Sequence, residues 1–348
     1  MVKDRKGETK MLGFGKYLKE YLEFNNLSQT EFASRLGVTQ KHMNEILNGK
    51  MSITLERAAQ IYHLTGIPID FIINAENRKL VTEYLFKKYG DEKNIQNTIK
   101  KQFFISELAK RRWIDFKDST NAIQNYMDLI DFLKVTDLEA LNMVQEKTLF
   151  KKTGEDINKI SLWIARCDEI AKSQVVKEYI PVAFNFLIED LKKEAYINYS
   201  IENVQNILNN YGIYFVVEKA LIGTKVRGCI KVKGKNPAIY LTKNYIGKDS
   251  FFFELFHELG HCKSDYNEAK NKVIIDGNEK QEQRADKFAL NTMIPEDVWN
   301  NIQKDYSESN LLKISEENKI PMSFIVGRLA KMKMINYKSE IYNKYKEQ

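Results

Sequence analysis

At 348 residues the chain exceeds what one compact core usually holds, so two or three domains are expected, each burying its own interior. Forty-three per cent apolar residues, with 18 Tyr and 19 Phe, exclude a disordered chain, while only 16 Gly and 5 Pro favour a mostly helical one. A net charge of +7 permits nucleic-acid binding without demanding it; no run approaches the roughly 18 apolar residues of a membrane span, and Met1–Lys10 leads into no signal core, so the cytoplasm is the expected address.

From Phe14 to about Asn74 the pattern predicts five short helices. Ser28-Gln-Thr-Glu31 reads as a capping box, in which serine oxygen and glutamate carboxylate each satisfy a free amide at a helix start. That helix runs through Phe32, Ala33 and Leu36 and stops at Gly37, where a left-handed turn costs glycine little. Thr39 then caps a second helix through Met43, Ile46 and Leu47 to Asn48-Gly49, which is helix-turn-helix punctuation at the right offsets. With Met43, Ile46 and Leu47 turned inward, Lys41, Asn44, Glu45 and Asn48 must face out. Gln40 and Lys41 stand at the end that meets base edges in the major groove, and Gln29 and Lys50 are placed for phosphate contacts. The candidate DNA-contacting set is therefore Gln29, Thr39, Gln40, Lys41, Asn44 and Lys50.

Leu27-Ser-Gln-Thr-Glu-Phe-Ala-Ser-Arg-Leu-Gly-Val-Thr-Gln-Lys-His-Met-Asn-Glu-Ile-Leu-Asn-Gly49 resembles the XRE-type helix-turn-helix. Its continuation, Ser52-Ile-Thr-Leu-Glu-Arg-Ala-Ala59, is similar to the HigA antitoxin branch of that group. The resemblance implies a homodimer on a palindromic double-stranded DNA operator, and it makes a toxin ribonuclease a candidate partner. His42 and His63 lie within this head and are expected to pack or solvate rather than bind metal.

Asn74-Ala-Glu-Asn-Arg-Lys79 is polar, lacks apolar spacing and is expected to be a domain edge. From Leu80 to about Asn210 apolar residues recur three or four apart, as in Ala122–Leu133 and Ile160–Ala165, and a helical connector without a catalytic motif is predicted. Lys110-Arg-Arg112 is read as a favourable helix end rather than a DNA contact. Around Gly212 the texture changes. Tyr214–Glu218, Gly228–Lys233 and Ala238–Thr242 are β-branched and aromatic runs between Gly- and Pro-containing turns, and they predict a small sheet that could offer an edge strand to an extended peptide.

His257-Glu-Leu-Gly-His261 follows on helix-forming residues. Two histidines four apart lie within about 40° of each other on a helix, so both imidazoles can reach one ion. Glu258, one step round, is placed to take a proton from water there. A catalytic zinc needs three protein ligands and an open position. The other histidines, His42 and His63, lie far back in the sequence, and Ser264 and Asn267 stand where a metzincin would need glycine and its last ligand. Cys262 points about 100° away from His261, and the three cysteines form no C-x-x-C pair. A carboxylate remains. Glu282 and Asp286 share a face of Glu282–Ala289, giving Glu282 as third ligand and Asp286 as acceptor for an imidazole N–H. Asp265, Asp276 and Glu279 are the fallback donors.

The sheet, then Phe256-His-Glu-Leu-Gly-His261, Glu282-x-x-Ala-Asp-x-Phe-Ala289, Met293-Ile-Pro295 and a closing Leu311–Leu329 segment together resemble the ImmA/IrrE metallopeptidases. Asp286 departs from the pattern, since asparagine often stands there. The resemblance implies one Zn2+ per chain and cleavage of a helix-turn-helix repressor, a partner or the chain itself. The expected fold is α+β and predominantly α-helical. A five-helix helix-turn-helix domain (1–76) is followed by a helical connector (77–205), a gluzincin-like zinc peptidase domain with a small β-sheet (206–337), and a tail (338–348). The expected function is a DNA-binding regulator whose zinc endopeptidase relieves repression. The alternative is a HigA-like antitoxin or repressor whose zinc site is structural or sensory. An exported digestive peptidase is disfavoured by the lack of a signal core.

Overall fold

The computed structural model describes residues 2–3, 9–10, 13–114, 121–148, 157–197, 199–243, 247–275 and 277–347. Two compact units emerge, Met1–Lys101 with Phe116–Met127, and Gln102–Asp115 with Asp128–Gln348. Among the described residues, no helix is long and apolar enough to cross a membrane.

The first unit begins with a short pair of strands, β1 (Val2–Lys3) and β2 (Thr9–Lys10). There follow α1 (Gly15–Phe24), α2 (Gln29–Arg35), α3 (Gln40–Leu47), α4 (Leu55–Thr65), α5 (Ile69–Tyr89) and most of α6 (Glu92–Phe103). Phe14, Leu18, Phe32, Met43, Ile46, Ile61 and Ile72 meet in its core because helical spacing turns them to one side of each element. Side-chain caps start the helices where expected: Ser28 Oγ accepts from Glu31 N at 3.1 Å and Thr39 Oγ1 from His42 N at 3.2 Å. The capping box is half made, however. Glu31 pairs with Arg35 at 2.6 Å, one turn along its own helix, instead of reaching back to Ser28. Gly37 takes φ +70°, the left-handed turn that lets α2 stop and α3 begin.

The edge expected at Asn74–Lys79, and with it the boundary at residue 76, falls inside the continuous helix α5. Its polar residues have partners remote in sequence. The Glu76 carboxylate is buried and accepts from Phe14 N at 2.8 Å and Ile53 N at 3.3 Å, while Lys79 Nζ donates to Gly49 O at 2.6 Å. These side chains clamp α5 onto the head. Glu76→Ala strands two buried amides, so thermal or urea unfolding should show a loss of about 2–4 kcal/mol. An unchanged transition would remove the clamp from the account.

The second unit holds α7 (Ile105–Lys110), the later part of α8 (Ala122–Leu133), α9 (Leu138–Thr148), α10 (Ile157–Ala171), α11 (Phe184–Ile197) and α12 (Ile201–Asn210). Strands β3 (Tyr214–Val217), β4 (Gly228–Lys233) and β5 (Asn236–Leu241) come next. The unit closes with α13 (Lys248–Ser264), α14 (Tyr266–Ala269), α15 (Glu279–Met293), α16 (Glu296–Lys304), α17 (Glu308–Asn318), α18 (Met322–Lys331) and α19 (Glu340–Tyr345). β5 is central, parallel to β3 and antiparallel to β4. On the outer side of β4, Ile230 exchanges both main-chain hydrogen bonds with Ile274 at 2.9 Å.

Two expected borders shift here as well. Residue 205 lies within α12, whose Val204 and Leu208 share a core with Phe251, Leu255 and Phe324. Connector and core helices have the same 3.6-residue spacing, so the pattern carries no mark of where one ends. In the segment expected to be a tail, α19 buries Tyr345 in that core, and Lys344 pairs with Glu308 at 2.7 Å. Arg111 ends α7 and donates to Lys219 O at 2.6 Å and Ala220 O at 2.9 Å, a structural use of the basic cluster. Gly260 on α13 lets α15 approach, since a Cβ there would lie 3.0 Å from Ala285 Cα. That closeness decides what the two helices can share.

Candidate metal centre and DNA-reading helix

Helix α13 carries His257, Glu258 and His261 into the interior, and all three are buried. From α15, one turn above the Gly260–Ala285 contact, Glu282 reaches the same point. His257 Nε2 lies 3.2 Å from His261 Nε2, with Glu282 Oε2 3.3 Å from the first and Glu282 Oε1 3.3 Å from the second. Two imidazole nitrogens and a carboxylate are a donor set of the number and type that can hold a divalent ion with one position open. It is also a donor cluster tight enough to share an ion, its ligand atoms all within 4.8 Å.

The opposite nitrogens are held by carboxylates. His257 Nδ1 meets Asp286 Oδ1 at 2.9 Å, and His261 Nδ1 meets Asp265 Oδ2 at 2.9 Å. With Nδ1–H donated to these acceptors, each ring that gives up its other proton does so at Nε2, the atom facing its neighbour. Arg284 anchors Asp265 at 2.6 Å, and Gly277 N donates to Glu282. Asp265, expected as a fallback ligand, therefore stands behind His261 instead. Its i,i+4 spacing from His261 on the end of the same helix was the available signal. Glu279 lies apart, bonded by Gln283 at 3.3 Å, and Cys262 faces Tyr179 at 3.6 Å. Asp276 falls outside the described residues.

Electrostatics follow from that crowding. Burial opposes a charged His257, but hydrogen bonds to Asp286 and Glu282, with Glu258 nearby, outweigh it and hold the imidazole at about 10. Burial opposes charge on His261 too, and Glu282, Glu258 and Asp265 again push it upward. Glu282 resists burial through its bonds from His257, His261 and Gly277, which carry its carboxyl well below the usual range. Glu258 has no such bonds. Burial raises it to about 8 against the pull of both histidines, and its Oε2 has no hydrogen-bond partner. Its other oxygen packs on Gly228 of β4, where a Cβ would come within 2.5 Å. Sequence reading had no means of pairing that glycine with Glu258, because the two meet only across the folded sheet.

In the first unit, Gln29, Thr39, Gln40, Lys41, Asn44 and Lys50 are all exposed around α2 and α3. Met43, Ile46 and Leu47 are buried beneath them, as the spacing predicts. Two of the polar groups have duties within the helix. Thr39 is the cap, and Asn44 Oδ1 accepts from Asn48 at 2.6 Å, leaving its amide N–H to a partner. Glu45 is half-buried rather than fully outward, and of the two histidines His42 is half-buried and His63 exposed.

Comparison with known proteins agrees for this head. The helix-turn-helix domain family matches residues 15–91, a span that takes in α1 to α5. No curated protein matches the chain, and no solved structure does. Residues 15–91 are thus a helix-turn-helix domain, which supports a DNA-binding regulator; the C-terminal half stands on its own geometry.

Proposed function

We propose that the chain is a transcription regulator that reads an operator through α3 and carries a zinc-dependent endopeptidase centre, of the ImmA/IrrE kind, in its C-terminal unit. The observation carrying this reading is the convergence of His257 Nε2, His261 Nε2 and a Glu282 oxygen beside a buried Glu258 whose Oε2 lacks a partner. His257, His261 and Glu282 would hold the ion, and Asp286 and Asp265 would orient the rings. When bound, zinc supplies Lewis acidity to water and to a peptide carbonyl.

The chain's own residues do the rest. Glu258 takes the proton from the attacking water and returns it to the departing amine. Burial raises its pKa, which makes it the stronger base once ionised, and Gly228 gives it room on the sheet side. The substrate class is a helix-turn-helix repressor, either a companion protein or a second copy of this chain, held near by shared binding to one stretch of DNA. A toxin ribonuclease partner remains the HigA-like alternative, with the same three ligands serving a structural or sensory ion.

Operator reading has its own test. Gln40→Ala and Lys41→Ala each remove an exposed group at the start of α3 and leave the core intact. On a duplex selected from random sequence, each should weaken binding by about 1–3 kcal/mol, read by anisotropy, with unfolding unchanged. Unaltered affinity in both variants would reject α3 as the reading helix.

A further inference from the structure

The second unit holds a cavity of about 870 Å³ that the metal centre does not use. Small-molecule sites occupy about 300–1,000 Å³, so its size suits a compact ligand. Trp113, Leu141, Ile164 and Val273 are buried in its lining, with Phe132 beside them, giving it an apolar body. Six lysines and four acids complete it.

Two of those acids are already engaged. Asp168 accepts from Lys231 at 2.9 Å and from Tyr240 at 2.7 Å, and Glu169 is drawn aside to Arg166 at 2.7 Å. Among the described residues, Lys134 and Lys172 at the rim make no ion pair, and both are exposed. Lys233 sits below the usual lysine value, first through burial and then through repulsion by Lys231 and Lys172, which Asp168 offsets in part. Lys231 and Lys233 thus share the single Asp168 carboxylate, at 2.9 and 3.9 Å, with Lys172 adding to the repulsion on Lys233, while Asp128 and Asp131 line the chamber from α8. An added anion there would relieve the repulsion.

We infer that this cavity is a binding site for a small amphipathic anion: an aromatic or medium-length aliphatic body with a carboxylate or phosphate head. The body would lie against Trp113, Leu141 and Val273 and the head against Lys172 and Lys233. One wall is Ala269–Val273, part of the connection between α13 and α15. That connection includes Ile274, paired to β4, and Gly277, bonded to Glu282, and it starts at Asp265, bonded to His261. An occupant that orders this segment would bear on the position of Glu282. This consequence rests on the metal-centre reading; binding itself does not.

The test is fluorescence titration of the full metal-free chain with 8-anilinonaphthalene-1-sulfonate, with circular dichroism checking that each protein is folded. One saturable site is expected. Lys134→Glu combined with Lys172→Glu should weaken it by at least about tenfold, a loss attributable to charge at the rim. Val144→Trp, a bulky change at an exposed rim position, should weaken it as well. Displacement by decanoate would identify a carboxylate head, and displacement by decyl phosphate a phosphate head. No saturable site, indifference to all three substitutions, or failure of both competitors would overturn the assignment. Because no metal is present, such a failure says nothing against the zinc centre.

Discussion

On the endopeptidase reading, Glu258→Gln should retain one zinc per chain and full operator affinity while peptide cleavage falls by about 10²–10⁴-fold, the range that general acid–base groups contribute. Glutamine keeps the shape of the buried side chain and its packing on Gly228, so the fold and the three ligand atoms stay where they are. What it loses is the ability to accept a proton. In the native chain Oε2 has no hydrogen-bond partner, and burial lifts the carboxyl to about 8. A structural carboxylate at that depth would be paired, because an unpaired buried polar atom is costly. The assay is cleavage of companion repressors or of a tagged second copy, with metal content and anisotropy measured on the same preparations. If native protein fully loaded with zinc cleaves nothing under any inducing condition, the antitoxin-like reading with a sensory or structural ion takes over.

Glu282→Ala removes the proposed third ligand and should lower zinc affinity by more than about 100-fold, beyond what loss of a carboxylate behind a histidine costs. Asp286→Ala or Asp265→Ala should fall within about 10–100-fold, because each leaves all three ligand atoms in place and loosens one ring. Metal analysis after dialysis separates the two classes. Uptake is also coupled to protons. The neighbouring carboxylates hold His257 at about 10, so at neutral pH its imidazole is charged in the metal-free chain and must lose that proton to bind. Affinity therefore rises with pH toward that value, and calorimetry in buffers of different ionisation enthalpy should record proton release. Retention of zinc in Glu282→Ala would dismiss α15 as a source of ligand.

Much of this was legible from residue spacing. Gly37, Thr39 and the Met43-Ile46-Leu47 face announce two helices and a turn, because caps and left-handed glycines act within four residues of themselves. The three strands were legible for the same local reason. His257, His261 and Glu282 could be linked because each pair of elements had its own periodicity and the histidine supply was short. What escaped was non-local. Glu76 and Lys79 look like linker residues until Phe14, Ile53 and Gly49 stand beside them. Asp265 looks like a spare ligand until Arg284 and His261 claim its two oxygens. Tyr345 looks like part of a loose end until α19 folds back onto the core.

The rung between Ile230 and Ile274 sets a limit on how β4 can be used. Alternate residues of an edge strand point their amides the same way, so Gly228, Ile230 and Val232 share the outer side, and the middle one is taken. On the endopeptidase reading, a guest chain could not pair along the whole of β4, because the chain's own backbone already holds Ile230. Recognition of such a guest would then fall to its side chains rather than to the length of a shared strand ladder.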